Sequence, residues 1–180
     1  MVAKNESEGF YHWRPSRGLA RRATRDVDAV VVLPTSSWAS FLEQGEQVSF
    51  RSRVPDPLEF AKRSRILLLH HEPSAIDVDP SFAATDFESE ALLRAKNVKV
   101  GRLSVPVATA EDLIVFKAVA HRSIDMADIE KLLDLYADLD YDPIRKHVDE
   151  FATLLEMPEL FIDLDQRLRA YEKAHRHRRK

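Results

Sequence analysis

The hydrophobic periodicity of this chain changes at Thr109: short β-branched runs precede it, and apolar residues repeating at helical spacing follow it. Side chains alternate sides every two residues in a strand and return to one face about every 3.6 in a helix, so the two halves build different elements. Before the change, residues 27–33 (VDAVVVL) predict a strand bounded by Pro34, and residues 48–53 an edge strand ended by Pro55. Residues 65–70 and 75–79, separated by HEPS, predict strands joined by a hairpin or a short connection, and residues 98–107 another hairpin or strand pair around Gly101. Residues 35–44 predict a short helix capped by Thr35 or Ser36 and stopped by Gly45, residues 87–95 a second, while residues 57–64 fit either state. After the change come helices from Thr109 to about His121 and over residues 125–138, one opened by Asp142 and Pro143, and one starting at Pro158. Strands first and helices after predict an α+β fold.

A length of 180 residues is one domain's worth, with 44% hydrophobic residues to build its core. The expected organisation is a single domain over 1–180: a weakly structured element at 1–25, a strand-rich core at 26–107, helices at 109–172 and a basic tail at 173–180. The longest purely apolar run, residues 29–33, falls far short of the roughly 20 residues of a membrane helix, so no membrane partner is expected. The first residues are polar and Arg-rich without a secretory apolar core, which predicts a cytoplasmic protein. Cysteine is absent, which excludes disulfides and thiolate chemistry. Residues 1–25 hold six basic and two acidic side chains and residues 173–180 five basic and none acidic, so the stretch between them is acidic. An acidic body suits a cation site. The basic tail suits RNA phosphates, or equally a solvated helix end.

The sharpest local signal is Asp26-Val27-Asp28 leading into the apolar run. In a strand the two aspartates project from one face while Val27 turns inward. Two such carboxylates repel, and a cation between them makes joint ionisation favourable; hard oxygen donors suit Mg2+ or Mn2+. Solvated carboxylates at a strand start are the other reading. A third acid, Asp77, lies in the strand AIDVD, with Asp79 sharing its face as a competitor, or else beginning a turn with Pro80. Three carboxylates from two strands can hold two Mg2+ ions for phosphoryl chemistry. Lys117 lies near an apolar helix stripe, where an unpaired ammonium is costly, so it snorkels or reaches into a site. Asp125 and Asp128, at i and i+3, orient Lys117 or Arg122, or tie two helices together. His70 and His71, adjacent in a strand, point to opposite faces and cannot share one site.

The segments RATRDVDAVVVL, AIDVD and VPVATAEDLIVFKAVAHRSIDMADIEKLL together resemble the minimal nucleotidyltransferases of the abortive-infection toxin type, within the polymerase-β-like superfamily, over residues 18–136. The resemblance implies a mixed sheet followed by helices, with Asp26, Asp28 and Asp77 as metal ligands. It implies catalytic roles for Asp77, Lys117 and Asp125, and nucleotide contact by Thr24, Lys117 and Arg122. It further implies transfer of a nucleoside monophosphate from an NTP, with Mg2+ or Mn2+, to an RNA, protein or small-molecule hydroxyl, and a cognate antitoxin as partner. One departure stands out. Such proteins carry a strand and a Gly-Gly or Gly-Ser turn ahead of R-x-T-x-D-x-D, whereas residues 9–17 here read GFYHWRPSR, with one glycine. That departure predicts a chain that begins late or a homologue that has lost its phosphate cradle. The alternatives are an inactive binding or regulatory module of the same fold and, third, a metal-dependent nuclease using the same acids.

Overall fold

The computed structural model describes residues 26–136 and 138–175, so the expectations for residues 1–25, Thr24 among them, and for residues 176–180 lie outside it. The fold is α+β, and its residues gather into two compact units that divide between Ala108 and Thr109. The division falls where the periodicity changes, so the strand-rich and helical stretches are each a unit.

In the first unit a sheet is built from β1 (Asp26–Val31), β2 (Phe50–Ser52), β3 (Leu69–His71) and β4 (Ile76–Phe82), in the order β1-β4-β3-β2. β1 and β4 run parallel, while β3 is antiparallel to both β4 and β2. A parallel pair needs a long crossover. Here it carries α1 (Trp38–Gln47) and α2 (Pro57–Ser64). One sheet face holds Val27, Ala29 and Val31 beside Val78, Pro80 and Phe82. Phe82 stacks on Trp38 with ring centroids 4.0 Å apart, and the Trp38 indole N–H donates to the Leu33 carbonyl at 3.3 Å. Leu42, Ala61, Leu67 and Leu69 complete this core. Burial of these side chains leaves the opposite face to polar residues.

Two local expectations change, and two readings left open are resolved. α1 runs through Gly45 to Gln47, because one interior glycine costs only about 1 kcal/mol and the packed Trp38 and Leu42 offset it. Its start shows no side-chain cap from Thr35 or Ser36, which lie instead in a 3-10 turn at Thr35–Ser37. Residues 57–64 are helical, with Pro57 in the first turn. Asp79 and Pro80 do not begin a turn: β4 continues to Phe82, and the Pro80 carbonyl accepts the Leu67 N–H at 2.9 Å.

Beyond the sheet lie α3 (Asp86–Arg94) and a separate hairpin of β5 (Lys96–Val100) and β6 (Leu103–Val107), whose turn uses Gly101 at φ +63. The α3 start is a reciprocal cap: Thr85 accepts the Glu88 N–H at 3.3 Å, and the Glu88 carboxylate accepts the Thr85 N–H at 2.9 Å. Thr85→Ala is expected to cost about 1 kcal/mol, measured by urea unfolding. A cost below a few tenths would show that Glu88 holds the helix start without it.

The second unit contains α4 (Ala110–Ala120), α5 (Ser123–Leu135), α6 (Tyr141–Leu154) and α7 (Glu159–His175), with α4 packed on α5, α6 and α7. Ile114, Ile129, Leu133, Ile144, Val148, Leu160, Leu164 and Leu168 are fully buried. Tyr136 and Leu155 are exposed, because the helices end beside them. Phe161 is only partly covered, and Leu160 takes the buried place. Thr109 accepts the Asp112 N–H at 3.1 Å and donates its hydroxyl to the Asp112 carboxylate at 2.9 Å. Asp140, and not Asp142, caps α6 by accepting the Asp142 N–H at 3.1 Å, which moves Pro143 to the third helical position. Pro143 is tolerated there because first-turn amides have no intrahelical partner.

Candidate functional site

The polar face of the sheet collects four carboxylates. Strand alternation sets Asp26 and Asp28 on one side of β1, and the parallel register lays Asp26 beside Asp77 and Asp28 beside Asp79. Asp77 has not turned away from the β1 pair. Asp26 and Asp28 are exposed, while the Asp77 and Asp79 side chains retain 29% and 26% of their accessibility.

Two basic side chains from the antiparallel half of the sheet meet the β4 acids. His70 lies opposite Asp77, and its Nδ1 sits 2.6 Å from Asp77 Oδ1. Arg53, just past β2, places Nη1 3.2 Å from Asp77 Oδ2 and pairs through Nη2 with Asp79. His71 faces the other way, with its ring 4.7 Å from that of Phe50. Alternation thus separates the two histidines, and His70 alone joins the acid face.

The two β4 acids differ electrostatically. The hydrogen bond with His70, aided by Arg53, holds the Asp77 carboxyl below its ordinary value against partial burial. Burial pushes Asp79 up, with Asp28 and Asp26 adding their repulsion and Arg53 opposing. Asp79, weighed from sequence only as a competitor, lies beside Asp28 as Asp77 lies beside Asp26. Among the described residues, no three His, Asp or Glu side chains are grouped closely enough to hold one metal ion. The Asp77 and Asp79 oxygens are directed at His70 and Arg53 instead. Carboxylate oxygens are the hard donors that Mg2+ or Mn2+ prefers, and in this structure the cation that the β4 pair meets is the Arg53 guanidinium. Sequence reasoning missed Arg53. Its signal was present in Arg51-Ser52-Arg53, where alternate cations along the expected edge strand share a side.

In the helical unit, Lys117 has partners. Its Nζ lies 2.9 Å from Asp128 Oδ2 and 3.5 Å from Asp125 Oδ1, with 14% of the side chain exposed. Arg122 grips Asp125 through Nε at 2.6 Å and Nη2 at 3.1 Å, and its backbone N–H also donates to that carboxylate at 3.3 Å. Lys131 pairs with Asp128 at 2.9 Å. The aspartates at i and i+3 therefore tie α4 to the start of α5, the structural alternative open from sequence.

Burial opposes ionisation of Asp125 and Asp128. Contacts with Arg122 and Lys117 in the first case, and with Lys131 and Lys117 in the second, outweigh it and leave both carboxyls below the ordinary value of 3.8. A depressed folded-state value gives stability that is complete above the unfolded value and lost as pH falls through the folded one. The α4–α5 contact is thus expected to weaken below about pH 4. Hydrogen exchange in α4 and α5 as the pH is lowered checks this, and protection that never falls on acidification would refute it.

Among the described residues, no helix is long and apolar enough to cross a membrane. No protein-family model matches the chain, and a search of the curated proteins finds no relative.

Proposed function

We propose that this chain is a nucleotidyltransferase-like cytoplasmic protein that moves a nucleoside monophosphate from an NTP to a hydroxyl of an RNA, a protein or a small molecule. The observation that carries this is the parallel β1–β4 register, which gathers Asp26, Asp28, Asp77 and Asp79 on one sheet face. In such a transfer the acceptor oxygen bonds to the α-phosphorus, the bond to the β-phosphate oxygen breaks, and pyrophosphate leaves. Bound Mg2+ or Mn2+ supplies charge neutralisation and acidifies the acceptor hydroxyl. Asp26 and Asp28 would hold it from β1, and Asp77 or Asp79 from β4. Asp77, hydrogen-bonded to His70, would receive the acceptor proton. In the helical unit, Lys117 and Arg122 are the candidates for nucleotide phosphate, with Asp125 as their anchor. The toxin resemblance makes a cognate antitoxin the protein partner to seek.

Incubation with α-labelled NTPs, Mg2+ and mixed RNA and protein acceptors is expected to give a labelled product. Failure with every NTP would overturn the proposal, and shortening of the RNA without label gain would indicate the nuclease.

Arg53 favours a second reading, a module of the same fold that binds or regulates without catalysis, since its guanidinium spans Asp77 and Asp79. Calorimetry separates the two. Magnesium-dependent NTP binding supports the enzyme, and its absence supports the module.

A further inference from the structure

Arg53 belongs to the sheet in two independent ways. Its backbone N–H donates to the Leu68 carbonyl at 2.8 Å, which fixes the main chain where β2 ends. Its guanidinium separately crosses to β4, meeting Asp77 Oδ2 at 3.2 Å and pairing with Asp79. About a third of the side chain, 32%, remains exposed, so the guanidinium can swing outward while the backbone bond stays made. Asp79 is also the acid laid beside Asp28, so the guanidinium sits on the oxygens that complete the carboxylate face. Charge-assisted bonds to two carboxylates are strong enough to compete with a hydrated cation, and two cations cannot share the same oxygens without repulsion.

We infer that Arg53 is a built-in counter-cation of this face, holding Asp77 and Asp79 in the resting protein and releasing them when a divalent cation binds. This rests on the metal-dependent function proposed above. It adds that divalent affinity is set by an intramolecular competitor, so the free protein keeps its acids paired until metal, or metal with nucleotide, displaces the arginine. A helper role, with Arg53 stabilising the bound state, makes the opposite prediction.

The test is Mn2+ binding to the full chain, followed by electron paramagnetic resonance, for the wild type, Arg53→Gln and Arg53→Lys, with thermal melts as a fold control. Arg53→Gln is expected to bind Mn2+ about tenfold more tightly, the equivalent of about 1.4 kcal/mol, and Arg53→Lys to fall between. Equal or weaker binding by Arg53→Gln overturns the inference and leaves the metal-dependent function standing. No binding by any variant removes the metal reading itself and this inference with it. A second measurement needs no substitution: in the wild type, Mg2+ titration followed by nitrogen–proton NMR is expected to shift the Arg53 guanidinium signals toward those of a solvated side chain. Signals that stay fixed while the aspartate resonances report metal binding also refute the inference.

Discussion

Under the proposed function, Asp28→Ala is expected to lower nucleotidyl transfer about 1,000-fold or more while leaving the fold in place. Asp28 is exposed on the sheet's polar face, so its removal leaves no cavity in the core formed by Val31, Trp38 and Phe82. The loss would be chemical. Metal neutralisation of a transferring phosphoryl group is worth several kcal/mol, and about 4 kcal/mol corresponds to a factor near 1,000 in rate. Asp79→Asn is expected to lose as much, because the register lays Asp79 beside Asp28 and these acids sense each other's charge. Rates of label transfer, read beside circular dichroism, check both variants. Transfer unchanged in Asp28→Ala would remove the acid face from the chemistry. A large loss in Asp77→Asn with none in Asp79→Asn would return the third-acid role to Asp77 alone.

The second large effect falls on stability. Asp125→Ala is expected to destabilise the helical unit by about 3 kcal/mol, because truncating one member of a buried ion-pair network strands its partners. Asp125 retains 3% exposure and Lys117 14%, so the ammonium is left with Asp128 as its principal anchor, and Arg122 loses both side-chain bonds to α5. Arg122→Ala is expected to cost less, since the buried Asp125 carboxylate left behind keeps Lys117 and the backbone N–H of residue 122 as partners. Urea unfolding of the three proteins gives the comparison. Equal, small costs for both variants would mean that apolar packing of Ile114, Ile129 and Leu133 holds α4 to α5 unaided.

Much of the local structure was legible because it depends on near neighbours. The β-branched run after Asp28, the hairpin around Gly101, the Thr109 cap and the helices after it are short-range consequences of propensity, turn chemistry and periodicity. Where the reading slipped, packing overrode a local signal. Gly45 did not stop α1 because Trp38 and Leu42 bury the helix's inner side, and Pro80 did not end β4 because Phe82 anchors the strand beneath Trp38. The cap of α6 moved from Asp142 to Asp140 because both residues are competent and only the approach of the chain selects one.

The site divides along the same line. Alternation within a strand is covalent geometry, so the shared side of Asp26 and Asp28, and the opposite senses of His70 and His71, followed from the order of residues alone. The pairing of Asp28 with Asp79 and the reach of Arg53 to β4 did not. Those contacts join residues far apart in the chain, and their register is set by how the crossover helices pack. A one-residue slip of β4 would have sent its carboxylates into the core, and burial of Phe82 is what forbids it.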